Sequence, residues 1–461
     1  MKEMPLELLL VVMKRLPKKD NKSLRCVSKS LSVVATPLVF DSIYLSHDSA
    51  DFIKAESILK NYASSINAIV LCPMRYGSMY KHQYRDLIKR EHGLTGRMPS
   101  RWRFEDHIDM GYEALMGRHR QRSSRVTETF EPFFRAILRD APNLRKFIII
   151  HRKRYAELEV AKFCRWEDCA MPAEMHGIFE LTPTQCISHA TSYLLHDRHN
   201  ALPRMLSAIS ASGSNLRELI VEHERVADLS NKTVMQSFLR ITDILSEKVG
   251  LMSNLTKLKL AVDNRRFKSE NGSYSRWVHE PFGTKKVANS LARARNLEKL
   301  SLTIVNFYIQ DHAHLSPNMF HYILDGCRFP KLRIFLLDGC GMEGHQIMDF
   351  LGGSPDLKHL VLRSCSLKDY NWAALAELIK ANTHLTALSL EHLFRRSWDG
   401  SQCITHFLDY EGGVEKFLLH GGPNPFVCES QQAYDRVWRT PADPALLEVE
   451  RKVDWYHEQY F

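Results

Sequence analysis

One short phrase recurs along this chain of 461 residues and limits its fold more than any other feature: apolar, two residues, apolar, one residue, apolar. The clearest copies are Leu216, Leu219 and Val221; Leu255, Leu258 and Leu260; Leu297, Leu300 and Leu302; Leu332, Phe335 and Leu337; Leu357, Leu360 and Leu362; and Leu385, Leu388 and Leu390. Leu144, Phe147 and Ile149 match too, as do Val414, Phe417 and Leu419, while Ile66, Ile69 and Leu71 make a fainter first copy. From residue 216 onward the starts lie 39, 42, 35, 25, 28 and 29 residues apart. Between them run helical patterns: Val234, Phe238, Ile241 and Leu245; Val287, Leu291 and Ala294; Trp372, Leu375, Ala376 and Ile379. Three matches could arise by accident, but eight in order, separated by helices, imply a repeating unit of strand and helix. One such unit cannot bury its own apolar face, so neighbours must stack, and strands joined through helices lie parallel. The length agrees, since single compact cores stop growing at roughly 250 to 300 residues.

This pattern resembles a leucine-rich repeat. Cys340 and Cys365 each sit three residues past the last apolar position, where that family places Asn or Cys in the turn. The resemblance implies an α/β fold: a curved solenoid with parallel strands and outer helices, here an irregular array over residues 60–425. The starts at 66, 144 and 216 are 78 and 72 apart, which leaves room in each gap for a degenerate copy or an insertion. Residues 391–442 read as loop-rich apart from a strand at Val414 and a short helix near Ile404, and Asp443 with Pro444 opens a capping helix over 443–461. In an array the leucines are committed to the core, so partner recognition is expected at the polar positions between them. These are Lys257, Lys259, Lys299, Ser301, Arg333, Ile334, Lys358, His359, Thr386 and Ala387. The expected loop after the Leu385 strand adds Arg395, Arg396 and Trp398 as partner-binding residues, two cations and an aromatic of the types enriched at interfaces.

The first forty-five residues follow another pattern. Pro5 suits a first helical turn, and Leu6, Leu9, Leu10 and Met13 share one face. Leu8, Val11 and Val12 lie off that stripe, so the helix is apolar almost all round and a second partner surface is implied. Pro17 pushes Leu16 out of the α region, Asp20 or Asn21 can cap the next helix, and Leu24, Val27 and Leu31 recur at three and four. An alternating strand follows at Ile43, Tyr44 and Leu45, making three short helices and a strand. Residues 4–45 resemble an F-box of the kind found in filamentous fungi, on Met4-Pro5, Glu7-Leu8-Leu9, Leu16, Asp20-Asn21, Leu24-Arg25-Cys26-Val27-Ser28-Lys29 and Pro37-Leu38-Val39-Phe40. Met4 stands for the usual Leu, and Asn21 for an apolar residue. The F-box domain is taken as 1–45. The resemblance implies a non-catalytic substrate receptor that binds a Skp-type adaptor and, through it, a cullin. Its adaptor-facing candidates are Met4, Pro5, Leu8, Leu9, Val12, Leu16, Leu24 and Val27, some of which must instead pack the helices together. The alternatives are a scaffold with no part in ubiquitination and a nucleic-acid-associated repeat protein.

The formal charge of +10 favours acidic partners without identifying one. Much of it sits in a basic stretch at about 75–125, where twelve Lys or Arg face six acids and Tyr76, Tyr80, Tyr84, Trp102, Phe104 and Tyr112 are interleaved. Such a mixture suits phosphates and bases, but a solvated insertion is the simpler reading, so a protein substrate, acidic by charge, is preferred to nucleic acid. Cys164, Cys169, His176, Cys186 and His189 lack the paired spacing of a zinc site, so no metal is expected. Neither a phosphate loop, a nucleophile elbow nor an HExxH helix occurs, so no catalytic residue or cofactor is expected. No run of 18 apolar residues occurs, and residues 8–13 are too short for a span and run straight into Lys14 and Arg15, so no membrane partner is expected. Ten scattered cysteines read as reduced thiols in the cytoplasm or nucleus.

Overall fold

The computed structural model describes chiefly residues 4–16, 18–45, 49–71, 132–149, 215–221, 249–263, 286–305, 319–363, 365–367, 372–382, 384–391, 393–396, 404–407, 413–427 and 438–439. It contains two compact units, Met1–Leu216 with Glu224–Ser237, and Arg217–His223 with Phe238–Phe461. Among the described residues no helix is long and apolar enough to cross a membrane. The helices expected around Val234 and over 443–461 lie outside the described residues.

In the first unit α1 (Leu6–Arg15), α2 (Lys18–Leu24) and α3 (Lys29–Val39) lead into β1 (Ser42–Leu45). Leu16 is extended ahead of Pro17, which ends α1. The Ser28 hydroxyl accepts from the Leu31 amide at 3.2 Å and starts α3. After α4 (Ser49–Tyr62) come β2 (Ala68–Leu71) and β3 (Lys146–Ile149), and the three strands pair in parallel in the order β1, β2, β3. Register places Ile43, Ile69 and Phe147 in one column and Leu45, Leu71 and Ile149 in another, all buried.

The second unit carries β4 (Glu218–Val221), α5 (Val249–Asn254), β5 (Lys257–Asp263), α6 (Lys286–Leu291), β6 (Lys299–Val305), α7 (Met319–Leu324) and β7 (Ile334–Asp338). These are followed by β8 (Gly341–Met342), α8 (Gly344–Gly352), β9 (His359–Arg363), β10 (Ser366–Leu367), α9 (Trp372–Asn382) and β11 (Ala387–Glu391). Strands β4, β5, β6, β7, β9 and β11 are parallel neighbours in that order, so the six clearest copies of the phrase do lie side by side in one parallel sheet. Leu219, Leu258, Leu300, Phe335, Leu360 and Leu388 fall in one register column, and all are buried. Helix α8 opens with a capping box between Glu343 and Gln346 and inserts Phe350 among Phe320, Phe329 and Phe335, with ring centroids 5.9, 5.8 and 4.5 Å away. Trp372, Leu375, Ala376 and Ile379 of α9 are all buried, as their spacing requires.

Three expectations fail in the second unit. Val414 is not in a strand: it begins the buried side of α10 (Gly413–His420), where Val414 and Phe417 sit one turn apart and Lys380 Nζ lies 4.1 Å from the Phe417 ring. Ile404 is not helical but starts β13 (Ile404–Phe407), which pairs antiparallel with β12 (Leu393–Arg396) and with β14 (Trp438–Arg439). Strands β12, β13 and β14 therefore join the short β8 and β10 in a second sheet, ordered β14, β13, β12, β10, β8, in which β8, β10 and β12 run parallel. The face of the main sheet opposite the leucine column is also not open along its middle: Ile220, Ser301, Leu336, Val361 and Ser389 are all buried, as is Ile334 beside them. Parallel sheets are commonly covered on both faces, and Ser301 and Ile334 are accordingly withdrawn as partner-facing positions.

Gly339 joins β7 to β8 at φ +80°, and its amide donates to the Arg363 carbonyl at 2.8 Å. A Cβ there would collide with the Ile304 carbonyl oxygen of the neighbouring strand. Gly339→Ala should therefore lose at least about 1–3 kcal/mol of stability, read as a lower midpoint in thermal or urea unfolding of the full chain.

Candidate functional site

Helix α1 has two apolar sides. Met13 is 1% exposed and forms a core with Val34 and Ala35, against which Leu9, Leu10, Leu24 and Leu38 pack. At 100° per residue Leu8, Val11 and Val12 fall on the side away from Met13, and they remain exposed, Leu8 at 57% and Val12 at 47%. Met4 and Leu6 extend the apolar surface at the start of the helix, and Val27 stands 69% exposed in the turn before α3. Each such side chain leaves about half or more of its surface in water, so burial against a partner would still be favourable, and a cluster of them is the kind of patch that binds one.

Of the adaptor-facing candidates, the structure leaves Met4, Pro5, Leu8, Val12 and Val27 exposed. Leu9, Leu16 and Leu24 are half-buried, and Leu9 and Leu24 pack against the Met13 core. Val11, which lies off the buried stripe with Leu8 and Val12, is exposed as well, and so are Leu6, which the spacing sets on that stripe, and Val33, which the spacing does not single out.

Asn21 does not cap the following helix. It lies inside α2, buried, and its amide nitrogen donates to the Met13 carbonyl at 3.0 Å and the Leu16 carbonyl at 3.4 Å. The polar residue thus adds a donor to the carbonyls at the end of α1, that of Met13 also accepting from the Leu16 amide at 3.1 Å, which an apolar residue at this position could not do. Two cations fasten α2 to the junction between α3 and β1. Lys18 Nζ lies 2.7 Å from Asp41 Oδ1 and also reaches the Ser42 hydroxyl. The Arg25 guanidinium sits 4.8 Å above the Phe40 ring, which stacks on Tyr62 with centroids 4.0 Å apart and planes 5° from parallel.

The second predicted site is assembled differently from expectation. Arg395 and Arg396 belong to β12 rather than a loop, opposite Thr405 and Ile404, while Trp398 lies outside the described residues. The cysteine and histidine set at 164–189 also lies outside them, as does nearly all of the basic stretch, of which Lys81 and Asp109 form an ion pair at 2.6 Å. Among the described residues no group of His, Cys, Asp or Glu could hold a metal.

The described cysteines are poor nucleophiles with one exception. Burial pushes the Cys327 thiol up to about 12, with the Asp325 charge adding to it. Burial likewise raises Cys340 and Cys365, which sit as neighbours in the turns after β7 and β9. The Cys365 thiol donates to the Arg363 carbonyl at 3.1 Å and the Leu337 carbonyl at 3.6 Å, a packing role. Cys26 alone among them is exposed.

Two outcomes are expected. Asn21→Ala should cost about 1–3 kcal/mol locally, measured as faster amide exchange in α1 and α2 than in β2. Iodoacetamide at pH 8 should alkylate Cys26 in the native chain and spare Cys327, Cys340 and Cys365, as read by peptide mass mapping.

Comparison with protein families finds an F-box domain at residues 1–40, the span that holds α1, α2 and α3. No curated protein matches the chain. Domains of this family imply binding to a Skp-type adaptor and are generally non-catalytic parts of ubiquitin ligases.

Proposed function

We propose that this chain is the substrate-recognition subunit of an SCF-type ubiquitin ligase, an F-box protein of the filamentous-fungal type whose remaining residues form leucine-rich repeats. The single observation that carries the reading is the exposed apolar side of α1 within the matched F-box, directly opposite the side that Met13 buries. Met4, Leu8, Val12 and Val27 meet the adaptor, Pro5 and Leu16 border them, and Leu9 and Leu24 hold the helices that present them. The adaptor brings the cullin, and the chain contributes proximity rather than chemistry. The parallel ladder of β4 to β11, with a helix between successive strands and leucines aligned in register, supports the repeat reading. Arg395, Arg396 and Trp398 remain the proposed partner-binding residues, to be tested by joint replacement with alanine. A cytoplasmic or nuclear location accompanies this reading, in keeping with four free cysteines among the described residues.

Leu8→Asp combined with Val12→Asp should abolish co-purification of a Skp-type adaptor, because burying two unpaired charges costs far more than the contact returns. Both residues are exposed, so the variant should keep the melting temperature of the parent. A folded double variant that still captures the adaptor would remove the reading.

A further inference from the structure

The turns that feed β6, β7 and β9 gather positive charge at one edge of the main sheet. Residues 292–298, 328–333 and 353–358 hold Arg293, Arg295, Arg328, Lys331, Arg333 and Lys358, six cations, against two acids, Glu298 and Asp356. All eight are exposed. The turns are tied side by side by the backbone: the Arg333 amide donates to the Glu298 carbonyl at 2.8 Å, and the Lys358 amide donates to the Arg333 carbonyl at 2.9 Å. Lys331 Nζ crosses from one turn to the next and donates to Asn296 Oδ1 at 2.8 Å. The Phe329 amide donates to the Gly353 carbonyl at 3.1 Å, which sets Arg328 beside the third turn. Behind this edge Lys299 lies half-buried on β6, and burial, with the Lys299 charge adding to it, lowers the pKa of His359 on β9.

We infer that this edge is a docking surface for a carboxylate-rich segment of a partner polypeptide. Resting on the receptor reading above, it names the class of substrate. Three neighbouring strands at about 4.8 Å spacing make a patch roughly 10 Å wide, which three or four residues of extended chain cross at about 3.3 Å each. Four of the six cations are arginines, whose planar forks match carboxylates in a bidentate manner. One feature disfavours single-stranded nucleic acid as the occupant: the edge offers no exposed Phe, Tyr or Trp among its described residues, and such platforms are what single strands stack on.

The test uses the full chain and a fluorescein-labelled oligoglutamate peptide, with labelled oligothymidylate as competitor class. The peptide should bind, and more weakly as salt rises from about 50 to 300 mM. Arg295→Glu, Arg333→Glu and Lys358→Glu together should weaken it by about tenfold or more, with unchanged adaptor binding and melting temperature. If the reversals disturb folding, the Gln versions at the same three positions serve, with a smaller loss in the same direction. Undiminished peptide binding in the folded variant would overturn the inference, as would a wild-type chain that ignores the peptide. A variant that loses oligothymidylate more than peptide would overturn it in favour of nucleic acid. Loss of adaptor binding with peptide binding intact would instead strike the receptor reading and leave this surface standing.

Discussion

Neighbouring parallel strands must keep one register for this chain to have a core at all. Side chains alternate in direction along a strand, so a slip of one residue would turn Leu300 and Leu302 to the opposite face and bring Lys299, Ser301 and Thr303 onto the helix side. The spacing of the phrase prevents it, because its second and third apolar positions are two apart and so share a face. Leu258, Leu300, Phe335, Leu360 and Leu388 then line up as Cα partners, with Leu260, Leu302, Leu337, Leu362 and Leu390 as a second column. In the six clearest copies the first apolar residue lies ahead of the strand, in the turn, where Leu216, Leu255, Leu297, Leu332 and Leu357 are buried and Leu385 is half-buried. The turns that carry the basic edge are thus anchored by the same leucines that begin each repeat of the phrase.

The opposite face of the sheet obeys a different balance. Asp338 and Arg363 are Cα partners on adjacent strands and both are buried, Arg363 having the largest fully buried side chain among the described residues. Opposite charges in direct cross-strand register favour one another, whereas an arginine placed there alone would carry a heavy desolvation cost. Lys257 and Lys299 are also direct partners, half-buried, and like charges in that relation oppose pairing. The seven-residue pairing of β5 with β6 nonetheless keeps them in register, with Leu258 opposite Leu300 and Leu260 opposite Leu302 along the same ladder.

Much of this was legible in the sequence because it depends on local spacing. The six clearest copies gave strands in parallel order, and three-to-four spacing located α6 and α9. The same spacing misled at Val414, because apolar residues three apart suit a helical face as well as the lead into a strand, and Gly413 starts a helix here as easily as a turn. The antiparallel β12 and β13 were illegible for the converse reason: their register sets Leu393 opposite Phe407 and Phe394 opposite His406, and no period in the chain announces which segments meet. At α1, the presence of two apolar sides could be read from composition, but not which side faced inward. That was decided by Val34, Ala35 and Leu38, more than twenty residues downstream, closing over Met13.

The link between the first three helices and the first sheet follows from a two-residue connection. Only Phe40 and Asp41 separate α3 from β1, and each is held on two sides. Phe40 lies between the Arg25 guanidinium and the Tyr62 ring, so α2 and the end of α4 clamp it. Asp41 takes Lys18 on its carboxylate while its carbonyl accepts from the Asn67 and Ala68 amides at 2.7 and 3.0 Å, the first rungs of the ladder to β2. Exposed ion pairs contribute little, typically below about 1 kcal/mol, but here both side chains are mostly covered, 18% and 29% exposed, and the pair shares its residue with a strand ladder. Rotation of the helices about this junction would therefore break a stack, an ion pair and two backbone hydrogen bonds together, so the apolar side of α1 is presented at a fixed angle to β1 and β2.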